Sequence, residues 1–226
     1  MKFNKKKVFV SALAISLIAI LSFGTLAWFT DSDSVKNDFM ITDSDQTTTP
    51  DDVFSIDIYE TKVDEDGNVV NDANGNPETT DAGNTYKNIA PGDVLTKDPT
   101  VKNTGNYDQW VRVKVTISNA DNWLALVQKY GLVLENDLFD GFDGNAWRSE
   151  GSATPVNGAI TFTYYLKDKL APDAEVTLFE AVKIPGVFDQ TDMNAIKEFS
   201  LSFVAEAVQV ENTKDNAYDA FIFVGM

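Results

Sequence analysis

Between Trp110 and Ser118 the chain alternates so strictly that only one local conformation suits it. Val111, Val113, Val115 and Ile117 fall on one face, and Arg112, Lys114 and Thr116 on the other. Successive strand side chains point to opposite sides, so a two-residue period with β-branched residues on one face marks a half-buried strand. A helix with this pattern would scatter its valines around the axis. The same period recurs in Val53–Glu60, where Phe54, Ile56 and Ile58 oppose Ser55, Asp57 and Tyr59. It recurs again in Glu198–Gln209, with Phe199, Leu201, Phe203, Ala205 and Ala207 on one face. Further strands are predicted at Val94–Val101, Gly131–Leu134, Ala159–Leu166 and Glu175–Ile184.

Two stretches change period. In Ala120–Tyr130, Trp123, Leu126, Val127 and Tyr130 fall at helical spacing, Asn119 or Asp121 can cap the start, and Gly131 stops the run. Asp189–Lys197 is predicted as a second short helix. Lys62–Glu78, with Asp66-Gly67-Asn68 and Asn74-Gly75-Asn76-Pro77, reads as a projecting hairpin with short arms around Val69-Val70. Asn212–Tyr218 reads as a loop, and Ala220–Val224 as a final strand or a helical turn. No exact internal repeat is visible. About eight strands separated by turn clusters, with no βαβ alternation, predict an all-β fold: a jelly-roll or Greek-key β-sandwich with two short inserted helices over residues 53–226.

The chain before this domain has three parts. Lys2, Lys5, Lys6 and Lys7 precede an uncharged apolar run, and Thr25 and Ala27 stand at A-x-A-like positions, the pattern of an export leader cut between Ala27 and Trp28. The uncharged stretch from Val8 to Thr30 is also long enough to cross a bilayer as a retained anchor; the polar sequence that follows favours cleavage. In residues 28–41, Phe29, Val35, Phe39 and Ile41 share one face while Ser34, Lys36 and Asp38 face the other way, as in a strand. Residues 42–52 contain no large apolar side chain and form a flexible acidic and Thr-rich tether. The N-terminal segment is thus a strand on a leash.

A lysine-flanked leader ending in a small residue plus Ala, followed at once by Trp28, Phe29, Thr30 and Asp31, resembles that of the TasA/camelysin family of exported bacterial biofilm-matrix proteins. Ala90-Pro91-Gly92-Asp93, and Val101-Lys102-Asn103-Thr104-Gly105 before a Val-rich strand, are similar to that family's "PGD … KNTG" segment. The resemblance implies a jelly-roll domain that builds extracellular fibres by lending its N-terminal strand to a neighbour. It also implies a dedicated signal peptidase as a partner during export.

Charge and composition narrow the functions further. The precursor carries 18 basic and 35 acidic groups, a formal charge of −17; without the four leader lysines the remaining 199 residues would carry −21. Such a chain repels nucleic acid and anionic lipid. With no cysteine, it has neither disulfides nor a lipoprotein anchor, and its C-terminus lacks a sortase signal. The absence of histidine removes the His-Glu-x-x-His zinc site, the Ser-His-Asp triad and the Cys-His pair together. Relatives in the camelysin branch are classed as metallopeptidases; this chain is expected not to be an enzyme, and to need no cofactor.

Asp64, Asp66 and Asn68, with Gly67 between, resemble the opening of a calcium loop, but position twelve from Asp64 is Gly75 instead of a closing Glu. An Asp-Gly-Asn hairpin turn accounts for the same residues. Asp137, Asp140 and Asp143 have similar status. Trp110, Trp123, Trp147, Tyr164 and Tyr165 suit a sugar-binding face or a core equally well. Two functions follow as expectations. One is a secreted structural protein of the matrix or cell surface that polymerises head to tail with itself by donor-strand exchange, alongside other matrix proteins or polysaccharide. The other is a monomeric adhesin or carbohydrate-binding module.

Overall fold

A computed structural model of the chain describes residues 54–226 except 153 and 198. The leader, the segment 28–41 and the tether lie outside the described residues. Within them the chain is mostly β, with three antiparallel sheets and a few short helices. That composition is compatible with an all-β sandwich.

The largest sheet is organised around β5 (Gln109–Ile117). It is flanked by β11 (Leu201–Gln209) on one side and by β8 (Ile160–Leu166) and then β7 (Trp147–Ser152) on the other, in the order β11-β5-β8-β7. β11 pairs with β5 along its whole length, from Leu201 opposite Ile117 to Gln209 opposite Gln109. Val111, Val113, Val115 and Ile117 are wholly buried, as their alternation requires. Each contributes about 1.5–3 kcal/mol through its lost apolar surface. β7 was not predicted, because Trp147-Arg148-Ser149-Glu150-Gly151-Ser152 carries almost no apolar signal of its own.

Arg112, predicted to face outward, is buried. The reason is a helix, α4 (Ala217–Phe223), which packs Ala217, Ala220 and Phe221 over Trp110, Tyr165 and Val208 on the sheet's outer face. Asn216 starts α4 by accepting the Asp219 N–H at 2.9 Å. Of the predicted loop Asn212–Tyr218 the first five residues are irregular as expected, and for Ala220–Val224 the helical alternative holds, extended back to Ala217. Among the described residues there are four helices, not two. α1 (Ala120–Tyr130) has the predicted span, ending at Gly131 with φ +68° and placing Trp123 against Phe188 and Phe199, but it lacks the expected side-chain cap: Asn119 is left-handed, donating its Nδ2 to Ala195 O and accepting from Asn122 Nδ2. α3 (Gln190–Ile196) also matches its prediction, with Asp189 and Asp192 forming a reciprocal capping box. No strand forms at the predicted Gly131–Leu134; its last residue opens α2 (Leu134–Leu138), in which Leu134 and Leu138 are both buried at i, i+4 spacing and Asp137 folds back to accept the Val133 N–H.

A second four-stranded sheet has the order β2-β1-β4-β9, formed by β1 (Ile56–Thr61), β2 (Thr79–Thr80), β4 (Thr100–Asn103) and β9 (Glu175–Thr177). The third, β3-β10-β6, consists of β3 (Val94–Thr96), β10 (Ala181–Lys183) and β6 (Phe139–Asp140). Val94–Val101 and Glu175–Ile184 were each predicted as one strand, yet each passes from one sheet to another. They turn the corner together: Lys97 N–H donates to Glu180 O at 3.3 Å and Leu178 N–H to Pro99 O at 3.0 Å. Pro99 has no N–H to offer a continuing ladder, and Leu178 and Phe179 are buried in succession, which a straight half-buried strand cannot do.

The predicted hairpin at 62–78 is one part of a longer, repetitive arm. Lys62–Val69, Val70–Pro77 and Glu78–Thr85 are three degenerate eight-residue repeats, with Gly67, Gly75 and Gly83 at one position and Asn68, Asn76 and Asn84 at the next. The glycines have φ of +85°, +86° and +77°. Asp64 Oδ1 accepts from the N–H groups of Asp66 and Asn68, and Asp72 Oδ1 from those of Asn74 and Asn76, all at 2.8–3.0 Å. In the third repeat Thr80 Oγ1 does the same work for Ala82 N–H. Lys62, Val70 and Glu78 close a ring in which each N–H donates to the carbonyl of another at 2.8–2.9 Å. No residue identity is repeated across all three octads except Gly-Asn, so the period is carried by turn chemistry.

Candidate strand-acceptor seam

The two four-stranded sheets come closest along β1 and β11, whose Cα atoms approach within 8 Å. No ladder joins them. Residues of an antiparallel pair alternate between those that bond the partner and those that turn their N–H and C=O away. Ser118 N–H donates to Ser200 O and Val210 N–H to Asp108 O, so the even-numbered residues of β11 bond β5. Leu201, Phe203, Ala205, Ala207 and Gln209 therefore direct their main-chain groups toward the seam. On β1, Thr104 N–H donates to Ser55 O, so odd-numbered residues bond β4 and Ile56 and Ile58 face the seam. Two rows of main-chain donors and acceptors thus face each other without a described partner.

The same parity sets the side chains. Ile56 and Ile58 are buried in the core beneath β1, and Ala205 lies in it beneath β11 with Phe203 and Ala207 partly buried beside it. Gln109 Nε2 donates to Ser55 O at 2.8 Å, which places the start of β1 at the Gln209 end of β11. At the other end Lys97 reaches from the sheet corner to Glu60, with its Nζ 5.1 Å from the Phe203 ring centroid. The two strands consequently run antiparallel.

That second end is closed. Lys97 Nζ lies 2.8 Å from Glu60 Oε1 and 2.7 Å from Oε2, with both residues buried. Burial raises the Glu60 carboxyl above its ordinary value, against the opposing pull of Lys97 and of the Asn84 N–H. β2 takes over the outer edge of β1 at this level, pairing Thr80 with Glu60 and Thr79 with Thr61. Around it, Asn84 Oδ1 accepts the Val63 N–H at 2.9 Å and Asn84 Nδ2 donates to Thr61 O at 2.7 Å. Asp98 receives both the Thr61 N–H and hydroxyl, at 2.7 and 2.6 Å. Tyr86 donates its hydroxyl to Thr96 O. The arm is thereby clasped to the seam's closed end.

Of the residues singled out in the sequence, Ala27, Trp28, Phe29, Val35, Phe39 and Ile41 lie outside the described residues. Asp64, Asp66 and Asn68 all fall in the first turn of the arm. There Asp64 is occupied by its own turn, with Asn68 Nδ2 also 3.2–3.3 Å from both its oxygens, and these bonds hold its carboxyl below the ordinary value. Asp137 caps Val133 N–H, Asp140 pairs with Lys183 at 2.6 Å, and Asp143 accepts from Asn145 N–H. Among the described residues no group of three His, Cys, Asp or Glu is arranged to hold a metal. Trp110, Trp123, Trp147, Tyr164 and Tyr165 are all buried, so they do not form an exposed aromatic face.

Glu60 and Lys97 were missed as a pair. Glu60 continues the inward face of Ile56 and Ile58 in sequence, and a charge on an apolar face is a signal of a buried partner. Lys97 offers no such cue, because its direction is set by the sheet corner. The chain matches no family model, no curated protein and no solved structure.

Proposed function

We propose that this is a secreted structural protein that assembles into extracellular matrix fibres, its N-terminal strand passing into the next subunit. The observation that carries the reading is the seam between β1 and β11, where two edges with no main-chain partner among the described residues face each other above apolar side chains. An open edge is ordinarily a liability. A strand added there gains main-chain hydrogen bonds on both sides and buries alternate side chains. The leashed segment 28–41 has the alternation such a strand needs, and the tether allows it to reach a neighbour. Exchange of this kind is a heterologous contact and propagates into filaments.

In this reading the sheets form a jelly roll, the leader is cut at Ala27–Trp28, and cleavage frees the donor strand outside the cell. The large negative charge opposes lateral clumping until salt, acid or divalent cations screen it. Calcium held weakly at Asp64, Asp66 and Asn68 would act in the same direction. Electron microscopy of the chain starting at Trp28 tests the proposal, with and without millimolar calcium and at mildly acidic pH. Filaments of regular repeat are expected, and a chain lacking residues 28–41 is expected to fold but not to elongate. Monomers under every condition would end it.

A further inference from the structure

Lysine amines meet carboxylates at several places on this molecule, but among the described residues only one such pair has both side chains buried. The side chains of Lys97 and Glu60 are 8% and 6% exposed, whereas every other paired lysine keeps more than a third of its side chain in water. Lys97 Nζ donates to Oε1 at 2.8 Å and lies 2.7 Å from Oε2, where its alignment makes no hydrogen bond; Oε2 is buried without any other partner. The Phe203 ring lies against the amine, its centroid 5.1 Å away. The third turn of the arm passes close to Oε1: a Cβ on Gly83 would sit 3.8 Å from it, and the Asn84 N–H bonds the carboxyl. A buried ion pair that leaves one oxygen unsatisfied is a costly arrangement. We propose that Lys97 and Glu60 condense into a side-chain amide, Nζ to Cδ, a covalent cross-link that the folded chain makes on itself.

The chemistry needs nothing beyond the two side chains. Burial, reinforced by the negative charge of Asp98, raises the Glu60 carboxyl above its ordinary value against the pull of Lys97, so a proton passes from Nζ to Oε2 and leaves an amine beside an acid. The Nζ lone pair attacks Cδ, and the C–N bond forms. A second proton moves from nitrogen to Oε2, the Cδ–Oε2 bond breaks, and that oxygen departs as water; nothing is oxidised or reduced. Oε1 carries the transient negative charge, stabilised by the Asn84 N–H, and stays as the amide carbonyl. The atom lost is the one without a hydrogen-bond partner, and two buried charges become one neutral amide. Reactants held in contact by a fold reach effective concentrations of about 10⁵–10⁸ M. The clasp of Asn84 on Thr61 and Val63 thereby has a chemical role, because it carries the Asn84 N–H to the carboxyl. Residues 37 apart in sequence are joined, closing a ring around β2 and the three octads. In a chain without cysteine this link staples the base of the arm as a disulfide would. It is independent of strand exchange.

Intact-mass spectrometry of the purified, folded chain reads the link directly. The mass should lie about 18 Da, one water, below that of the sequence. Proteolysis after denaturation should release the peptide containing Glu60 joined to the peptide containing Lys97. Water lost only at an Asp-Gly step, such as Asp66-Gly67 or Asp140-Gly141, would leave a linear peptide carrying a succinimide and would overturn the proposal. A folded chain at its full mass, with Glu60 and Lys97 in separate peptides, overturns it equally. Lys97→Arg keeps the charge pair but replaces the amine with a guanidinium that does not deprotonate. Glu60→Leu combined with Lys97→Met removes both groups and serves should the single variant fail to fold. Each should return to full mass, and a loss of water that persists in either refutes the assignment.

Discussion

The Arg112 guanidinium lies over the Phe221 ring, 4.3 Å from its centroid, with 108 residues of chain between them. The same guanidinium pairs with Glu206, which also meets Lys114 Nζ at 3.1 Å. A charge on the face of β5 expected to be wet is thereby satisfied beneath a C-terminal helix. Phe221 is the anchor of that helix, wholly buried among Trp110, Tyr165 and Val208. Phe221→Ala should destabilise the domain by about 3–5 kcal/mol. The measurement is urea unfolding, with tryptophan emission shifting to the red as Trp110 becomes wetted.

Lys97→Met leaves the Glu60 carboxyl buried without its cation and should cost about 3–5 kcal/mol. The double change Glu60→Leu with Lys97→Met removes both charges and should recover most of that loss, or exceed the parent. A double-mutant cycle in chemical denaturation decides it. Equal losses in the single and double variants would show that the pair stabilises the fold beyond its own compensation.

Two glycines separate backbone strain from crowding. A Cβ on Gly75, at φ +86°, meets nothing within 4 Å, so Gly75→Ala should cost about 1–2 kcal/mol through the left-handed backbone alone. A Cβ on Gly141, at φ +70°, would lie 2.7 Å from Glu180 Cγ. Gly141→Ala should therefore be the more damaging, and Glu180→Ala in the same chain should restore part of the difference. Thermal midpoints of the three variants test the order.

Asp192 ties α3 to α1, accepting from Lys129 Nζ at 2.7 Å and from the Tyr130 hydroxyl at 2.6 Å. The bond from Lys129, then those from Tyr130 and the Asp189 N–H, hold its carboxyl down to about 2, below the ordinary 3.8. Because the folded value is the lower, this contribution is complete above the unfolded value and is lost as pH falls toward 2. Asp192→Asn should be less stable at neutral pH and show a shallower loss between pH 4 and 2. Thermal unfolding across that interval is the measurement; parallel curves for parent and variant would remove Asp192 from acid sensitivity.

The amino-acid order by itself determined the elements whose signals are local. Strict alternation fixed β5, because a strand with one buried face permits no other placement of Val111, Val113, Val115 and Ile117. Helical spacing with Gly131 behind it marked α1, since periods and stop signals act within a few residues; α3 was expected at Asp189–Lys197, and the structure adds the Asp189–Asp192 capping box that starts it. The octad arm was read only as a hairpin at Lys62–Glu78, because the spacing of Gly67, Gly75 and Gly83 carries too few identities to register as a repeat. Only the tertiary structure decided where the strands near Pro99 and Phe179 change sheets, because two distant segments bend together to close the core. It also buried Arg112, through a helix more than a hundred residues away. The seam is the clearest case: the sequence supplies Ile56, Ile58, Ala205 and Ala207 as ordinary strand residues. Their meeting as facing edges, without a main-chain partner among the described residues, depends on how two sheets converge, which no local pattern encodes.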